Sequence, residues 1–360
     1  MRRKSSKEEF NSKSNVGKII FIFCLFFMLV FVSAVSVTLG SYSITVTEVY
    51  SIILKCLFQS PETTKEIIVC DLRLPRVLMG ILAGICLGIA GSIMQGVLKN
   101  PLASPYTLGI ASSAVFGAVL AIILGVGMIP IIGGYYIIGI AFIFALFTSL
   151  FILYLANRMG ATPFGIVVIT VVGIAIIWLF ARLTTQVLYF SEPGAVKVAY
   201  FLMLGDLGRA SRDDLLPTFV ILFVCCFLLL YKSWDFSAIE IGADTNGNHK
   251  EIKRIRAFLM AIAALLVATT VRFTGAIPFI GLIAPHIAYK TVGKDNRFLL
   301  IVSALLGALI LVGADTLARR IMAPFIIPVG VITSLIGVPL FIYLLIKIII
   351  KSIIHRKNQK

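Results

Sequence analysis

The chain has 360 residues, of which 59% are hydrophobic and only 13% charged, with a mean hydropathy of +1.05 and a net charge of +16. Soluble domains carry about 25% charged residues, so a water-soluble enzyme or nucleic-acid-binding module is excluded and a chain that crosses a lipid bilayer many times is expected. Both termini are basic, MRRKSSK and KSIIHRKNQK, which predicts a multi-pass protein of the cell membrane with both ends in the cytoplasm.

A basic leader, residues 1–18, precedes an apolar run at 19–39. The run is as long as a full span and the leader carries Glu8 and Glu9, so it reads as a first membrane helix rather than a cleaved signal segment. Residues 43–58, SITVTEVYSIILKCLF, open with Ser and Thr capping candidates and place Val49, Ile52, Ile53, Cys56 and Leu57 at helical spacing, the pattern of a short helix on the membrane face. Cys56 and Cys70 share this outside loop, where a disulfide between them is open. Cys24, Cys86, Cys225 and Cys226 lie in apolar runs and read as small packing residues. In DLRLPRVLMG at 71–80, Pro75 suits a first helical turn, because its missing N–H would be unpaired there anyway, so a second span is predicted to start here and run over 77–98. Arg73 and Arg76 then stand at the positive end of the helix dipole, one turn apart. They either receive carboxylates from outside or are neutralised internally by Asp71.

Apolar runs at 108–126, 129–156, 164–180, 215–230, 298–312 and 331–350 bring the clear spans to eight. Two weaker runs, 257–271 and 277–288, are shortened by Arg272 and by Pro285 and His286. Ten spans agree with two cytoplasmic ends, and they put the loops 99–104, 157–162, 232–256 and 290–297, with most of the Lys and Arg, on the inside. VKVAYFLML at 196–204 reads as a second surface helix. Ten helices use roughly 200 residues at about 20 each, which leaves no soluble catalytic domain. The chain divides into a cytoplasmic leader (1–18), one ten-helix transmembrane domain (19–350) and a cytoplasmic tail (351–360).

Residues able to carry chemistry are few. The three histidines, at 249, 286 and 355, have no partner at zinc-ligand spacing. His286 reads as a packed, hydrogen-bonded residue, and no metal site is predicted. No paired carboxylates lie within an apolar run, which weighs against an ion-coupled secondary transporter, the alternative of another class. GADTNGNH at 242–249 has glycines at phosphate-loop spacing, but Asn248 replaces the lysine that holds the outer phosphates, so this chain is expected to bind no ATP and no cofactor. The loop 232–256 is longer than its neighbours and combines Ile239 and Ile241 with a basic stretch, as an elbow for a cytoplasmic partner would. In ADTLARR at 314–320, Asp315 and Arg319 form an i, i+4 pair at the end of the ninth span. Gly84, Gly88 and Gly91, on the helix that also carries Gln95, have the spacing of close helix packing.

Three stretches resemble the permease subunits of type II ABC importers, which take up ferric siderophores, haem or cobalamin: LRLPRVLMGILAGICLGIAGSIMQGVLKNPLASPYTLGI at 72–110, GAIPFIGLIAPHIAYKTVGKDNRFLL at 275–300 and GADTLARRIMAPFIIPVGVITSLIGVPLFIYLL at 313–345. The resemblance implies an all-α fold of ten transmembrane helices and a second permease subunit, expected as a homodimer. It also implies cytoplasmic ATP-binding subunits, which use ATP and Mg, and a substrate-binding protein outside. It assigns Arg73, Arg76 and Arg319, with Arg320 as a possible substitute, to docking of that binding protein. It assigns the elbow around Ile239, Glu240, Ile241, Gly242, Ala243, Asp244 and Thr245 to ATPase coupling. NGNHK at 246–250 departs there from the family's apolar helix turn. The shared motifs make Gln95, Asn100, Pro101, Pro285 and His286 structural or pathway candidates. The implied function is import of an iron(III)-siderophore-type chelate, with cobalamin or haem as the alternative.

Overall fold

Helix is the regular structure throughout the described residues. A computed structural model describes residues 2–40, 42, 44–56, 58–125, 133–160, 162–231, 249–293, 295–323 and 325–357. Ile239, Glu240, Ile241, Gly242, Ala243, Asp244 and Thr245 of the expected elbow lie outside these residues. In chain order the helices are α1 (Arg2–Thr38), α2 (Val46–Cys56), α3 (Thr64–Ile67), α4 (Leu74–Leu98), α5 (Ile110–Ile123), α6 (Gly133–Met159), α7 (Pro163–Tyr189), α8 (Pro193–Leu204), α9 (Arg212–Tyr231), α10 (His249–Thr274), α11 (Ile280–Val292), α12 (Asn296–Arg320) and α13 (Val329–Lys357).

Among the described residues eight helices are long and apolar enough to cross a membrane, against the ten expected. The run at 257–271 belongs to a full-length helix, because α10 carries its apolar stretch through Arg272 to Thr274. The runs at 108–126 and 277–288 instead give α5, with 14 residues, and α11, with 13. At 1.5 Å per residue these are about 20 Å long, short of a hydrocarbon layer of about 30 Å. The chain ahead of each is irregular: Gly109 turns into α5 at φ +75°, and Gly275 and Phe279 hold φ of +73° and +66° before α11. Such backbone is tolerated inside a membrane protein where protein, not lipid, surrounds it. The residues here are largely buried: Asn100, Leu102, Ala103 and Ser104 before α5, though Pro101 is exposed, and Thr274 to Phe279 before α11. The two expected surface helices are present as α2 and α8, which bury Val49 and Ile52, and Ala199 and Leu202.

α4 is the centre of the bundle. Its apolar window is 78% buried, against 17% for α1 and 22% for α9, and it packs on α10, α11 and α12. The glycine spacing explains how it comes so close. A Cβ at Gly84 would strike the backbone of Ala308, one at Gly88 the carbonyl of Ser303, and one at Gly91 the backbone of Gly281. These are the small-residue contacts that let two membrane helices meet backbone to backbone. The outer helices turn Phe27, Phe31, Phe219, Phe223 and Phe227 outwards, an apolar surface suited to lipid and not to water.

Candidate functional site

The helix that leads to the two arginines starts earlier than Pro75 suggests. Thr63 and Glu66 form a reciprocal capping box at the head of α3, and the chain then passes through a π-helical turn, Ile68–Arg73, into α4. The Leu74 N–H donates to Val69 O, five residues back. Pro75 occupies the first turn of α4 as expected, but the helix does not begin there; the wide turn ahead of it accommodates a residue without an N–H. Arg73 and Arg76 therefore stand within a continuous helical path, and the helix-dipole argument does not apply to them. A disulfide between Cys56 and Cys70 ties the end of α2 to the π turn, and Lys55 Nζ reaches Glu66 Oε1 at 2.7 Å beside it.

Three of the four candidate docking arginines are buried: Arg73 is 6% exposed, Arg76 7% and Arg319 6%. Arg76 places Nε 3.0 Å from Asp315 Oδ1 and Nη2 2.8 Å from the same oxygen, and Nη2 also meets Asp206 Oδ1 at 3.2 Å. Arg319 approaches from one turn further along α12, its Nε donating to Asp315 Oδ2 at 3.0 Å and its Nη2 to Ser36 Oγ at 2.6 Å. Arg73 is held by carbonyls alone: Nη1 donates to Thr38 O at 3.0 Å and Nη2 to Tyr42 O at 2.5 Å. Its guanidinium lies on Gly40, where a Cβ would collide with it. Two of the three cations, Arg76 and Arg319, thus meet carboxylates, and carbonyls at and just beyond the end of α1 complete the acceptor set for Arg73 and Arg319, as burial of a charge requires. Arg320 is exposed.

Asp71 is not the counter-ion of these arginines; it pairs with Arg212 Nε at 2.9 Å. The i, i+4 pair of Asp315 and Arg319 is present, but Asp315 also binds Arg76, across 239 positions of sequence. Asp206 and Ser36 were not singled out from the sequence, because their partners come from other helices. The glycine before Asp206 holds φ +70°, a turn geometry that says nothing of the partner of its neighbour.

At the opposite end of α4 the motif candidates come together. Gln95, Asn100, Pro101, Pro285 and His286 line one cavity of about 400 Å³ with Ser92 and Tyr289. Gln95 Nε2 donates to Leu282 O at 3.3 Å, and Asn100 Oδ1 accepts from the Leu102 N–H at 2.9 Å. Lys99 in the left-handed region ends α4 and opens this buried turn. His286 is half-buried, and among the described residues its Nε2 has no hydrogen-bond partner. A second cavity, of about 540 Å³, is walled by Tyr106, Met203, Leu204, Pro278, Leu335 and Pro339 from the loop before α5, from α8, the turn before α11, and α13. Its wall is largely apolar and shows no charged residue.

Bilayer-length helices around a close-packed centre, with an apolar cavity between them and charge gathered at one end, define an integral membrane protein of the transport-permease class. The chain belongs to the FecCD transport family, which it matches over residues 28–347. It is 37% identical to the ABC transporter permease protein MJ0087 of Methanocaldococcus jannaschii, over 92% of this chain and 95% of that one. It is 35% identical to the cobalamin import system permease protein BtuC of Halobacterium salinarum, with 80% and 75% covered. Identity to the Fe(3+)-citrate import system permease protein YfmE of Bacillus subtilis is 34%, with 90% and 94% covered. Among solved structures, a metal-chelate type ABC transporter in an inward-facing conformation superposes with a TM-score of 0.71 at 26% identity, over 91% of this chain and 99% of that one. These relatives are transporter permeases rather than catalytic subunits.

Proposed function

We propose that this chain is the permease subunit of a binding-protein-dependent ABC importer that carries an iron(III)-siderophore-type chelate across the cell membrane. The observation that carries the reading is the likeness, along nearly the whole chain, to a metal-chelate type ABC transporter. Similarity to an Fe(3+)-citrate permease supports iron; similarity to a cobalamin permease favours cobalamin as the second reading. The 540 Å³ cavity, apolar and without a charged wall, suits passage of a bulky solute better than tight capture. In this reading ATP, with Mg, is hydrolysed by separate cytoplasmic subunits that dock at the loop 232–256, and the chain pairs with a second permease subunit, expected to be a copy of itself. Both termini are cytoplasmic, so the arginine end faces outwards, towards the binding protein. Exposed Arg320 then makes first contact with an acidic partner, while Arg73, Arg76 and Arg319 hold the ends of α1, α4 and α12 beneath it.

Proteoliposomes holding the permease, its ATPase and its binding protein test this. ATP-dependent accumulation of a labelled iron(III) chelate is expected, abolished by an inactive ATPase and lowered about tenfold or more in Arg320→Glu, the loss of a charge-assisted contact. Uptake that persists without the ATPase overturns the reading in favour of an ion-coupled carrier.

A further inference from the structure

A cavity of about 600 Å³ opens between the end of α5, the start of α6, α8 and the close of α10. It lies at the arginine end, since the Asp206 N–H donates to Thr274 O at 2.8 Å just beyond Arg272. Ile122, Ile123, Ile137 and Val198 give it apolar walls, and Arg209 and Arg272 bring two guanidinium groups to its lining.

Arg272 is partly buried and differs from the buried arginines of this end. Arg76 and Arg319 each donate to Asp315, whereas Arg272 Nε is buried with no acceptor among the described residues, and the ring it meets is that of its own neighbour Phe273, at 5.3 Å. Arg209 gives one long bond to Val198 O, 3.4 Å, and adds its positive charge to that of Arg272. Among the described residues no nearby acid makes an ion pair with either arginine. Glu192 on the wall is exposed and, among the described residues, ion-paired with neither. Asp214, within electrostatic range of Arg272, has its Oδ2 engaged by the N–H and hydroxyl of Ser211 at 3.1 and 2.7 Å. The segment 126–132, which follows α5, reads VGMIPII and contains no carboxylate. A buried guanidinium nitrogen without an acceptor is costly, and the group that matches the planar fork of a partly buried arginine on a cavity wall is an oxyanion with two coplanar oxygens.

We propose that this cavity binds an organic oxyanion, a carboxylate or phosphate carried on an apolar body, with Arg272 as its bidentate ligand and Arg209 as the second charge. The importer reading bears only on the source: an incoming carboxylate-bearing chelate in one case, the headgroup of an anionic lipid in the other.

The full-length chain in phosphatidylcholine nanodiscs is titrated with iron(III)–citrate, and in parallel the lipid it retains from phosphatidylglycerol-containing nanodiscs is counted by native mass spectrometry. Saturable binding of one of these probes is expected. Arg272→Met should weaken it on the order of tenfold or more, Arg209→Gln less, and Glu192→Gln should tighten it by removing a competing carboxylate. Chelate binding lost with Arg272 assigns the chelate as occupant; phosphatidylglycerol retention lost with Arg272 assigns the lipid. Binding indifferent to Arg272→Met, or no binding of either probe, overturns the proposal. The melting temperature of Arg272→Met should not fall, since no internal bond is lost; a fall matching that of Asp315→Ala would make Arg272 a structural residue and overturn the proposal too. Uptake by the reconstituted importer is a separate readout. Uptake alongside Arg272-independent binding sinks the site alone, and Arg272-dependent binding without uptake sinks the importer reading alone.

Discussion

Asp315 joins three parts of the chain that are distant in sequence. Its side chain is 2% exposed, one oxygen facing Arg76 on α4 and the other Arg319 on its own helix, while Arg319 passes on to Ser36 at the end of α1. Removing one member of such a set leaves an opposite charge buried and uncompensated. Asp315→Ala should therefore destabilise the protein by about 3–5 kcal/mol, read as lost melting temperature in detergent. Arg76→Met combined with Asp315→Leu should recover part of the loss, because the two changes share one interaction and will not add. The sequence made the pair of Asp315 and Arg319 legible, since four residues on a helix are neighbours wherever the helix lies. The bond to Arg76 was not, because nothing in local spacing says which helix lies opposite.

At the scale of elements, α4 depends on what its neighbours do not have. A Cβ on Gly91 would sit 2.6 Å from the carbonyl carbon of Gly281, backbone that cannot move aside, so Gly91→Ala should separate α4 from α11 and cut the yield of folded protein. Gly139 on α6 has nothing within reach of a Cβ; Gly139→Ala should be neutral or slightly stabilising, by up to about 1 kcal/mol. Parallel purification and thermal melting of the two variants separate packing from propensity. The cap built of α2 and α3 is pinned electrostatically. Lys65 and Thr45 hold the exposed Glu48 carboxyl down to about 2, from an ordinary 4.5. A carboxyl lowered in the folded state stabilises fully above its ordinary value, and this contribution fades as pH falls from about 4.5 towards about 2. Hydrogen exchange of α2 amides, corrected for intrinsic rates, should accelerate across that window in the wild type, and Glu48→Gln should reduce the acceleration, the remainder coming from Glu66, which Lys55 likewise holds down to about 2. The α2 helix was legible from its apolar spacing; the π turn at Ile68–Arg73 was not, since no local sequence pattern marks a widened turn.

For the whole molecule, the span count shows what hydropathy measures. Runs of similar polarity became the full-length α10 and the short α5 and α11, because Gly109, Gly275 and Phe279 turn the backbone where the surrounding helices shield it. Orientation is the remaining global property, and it decides which partner meets which end. With the free cysteines replaced and the pair of Cys56 and Cys70 kept, Glu48→Cys and Arg320→Cys should react with an impermeant maleimide from outside intact cells, and Lys99→Cys only after permeabilisation. Labelling of Lys99→Cys from outside would reverse the molecule and remove the basis for a docking role at the arginine end.

Sequence alone determined that this is a polytopic helical membrane protein, because burying about 20 apolar residues at a time is a property of each segment by itself. It also determined the family, since the motifs around RLPR, NPLA and GLIAPH survive as local strings. Tertiary structure alone decided that three of the arginines are buried and bound within the protein, that Cys56 meets Cys70, and that Arg272 Nε is left without an acceptor among the described residues. Each of these depends on atoms brought together from separate helices, and a charge acquires its role from what it finds there.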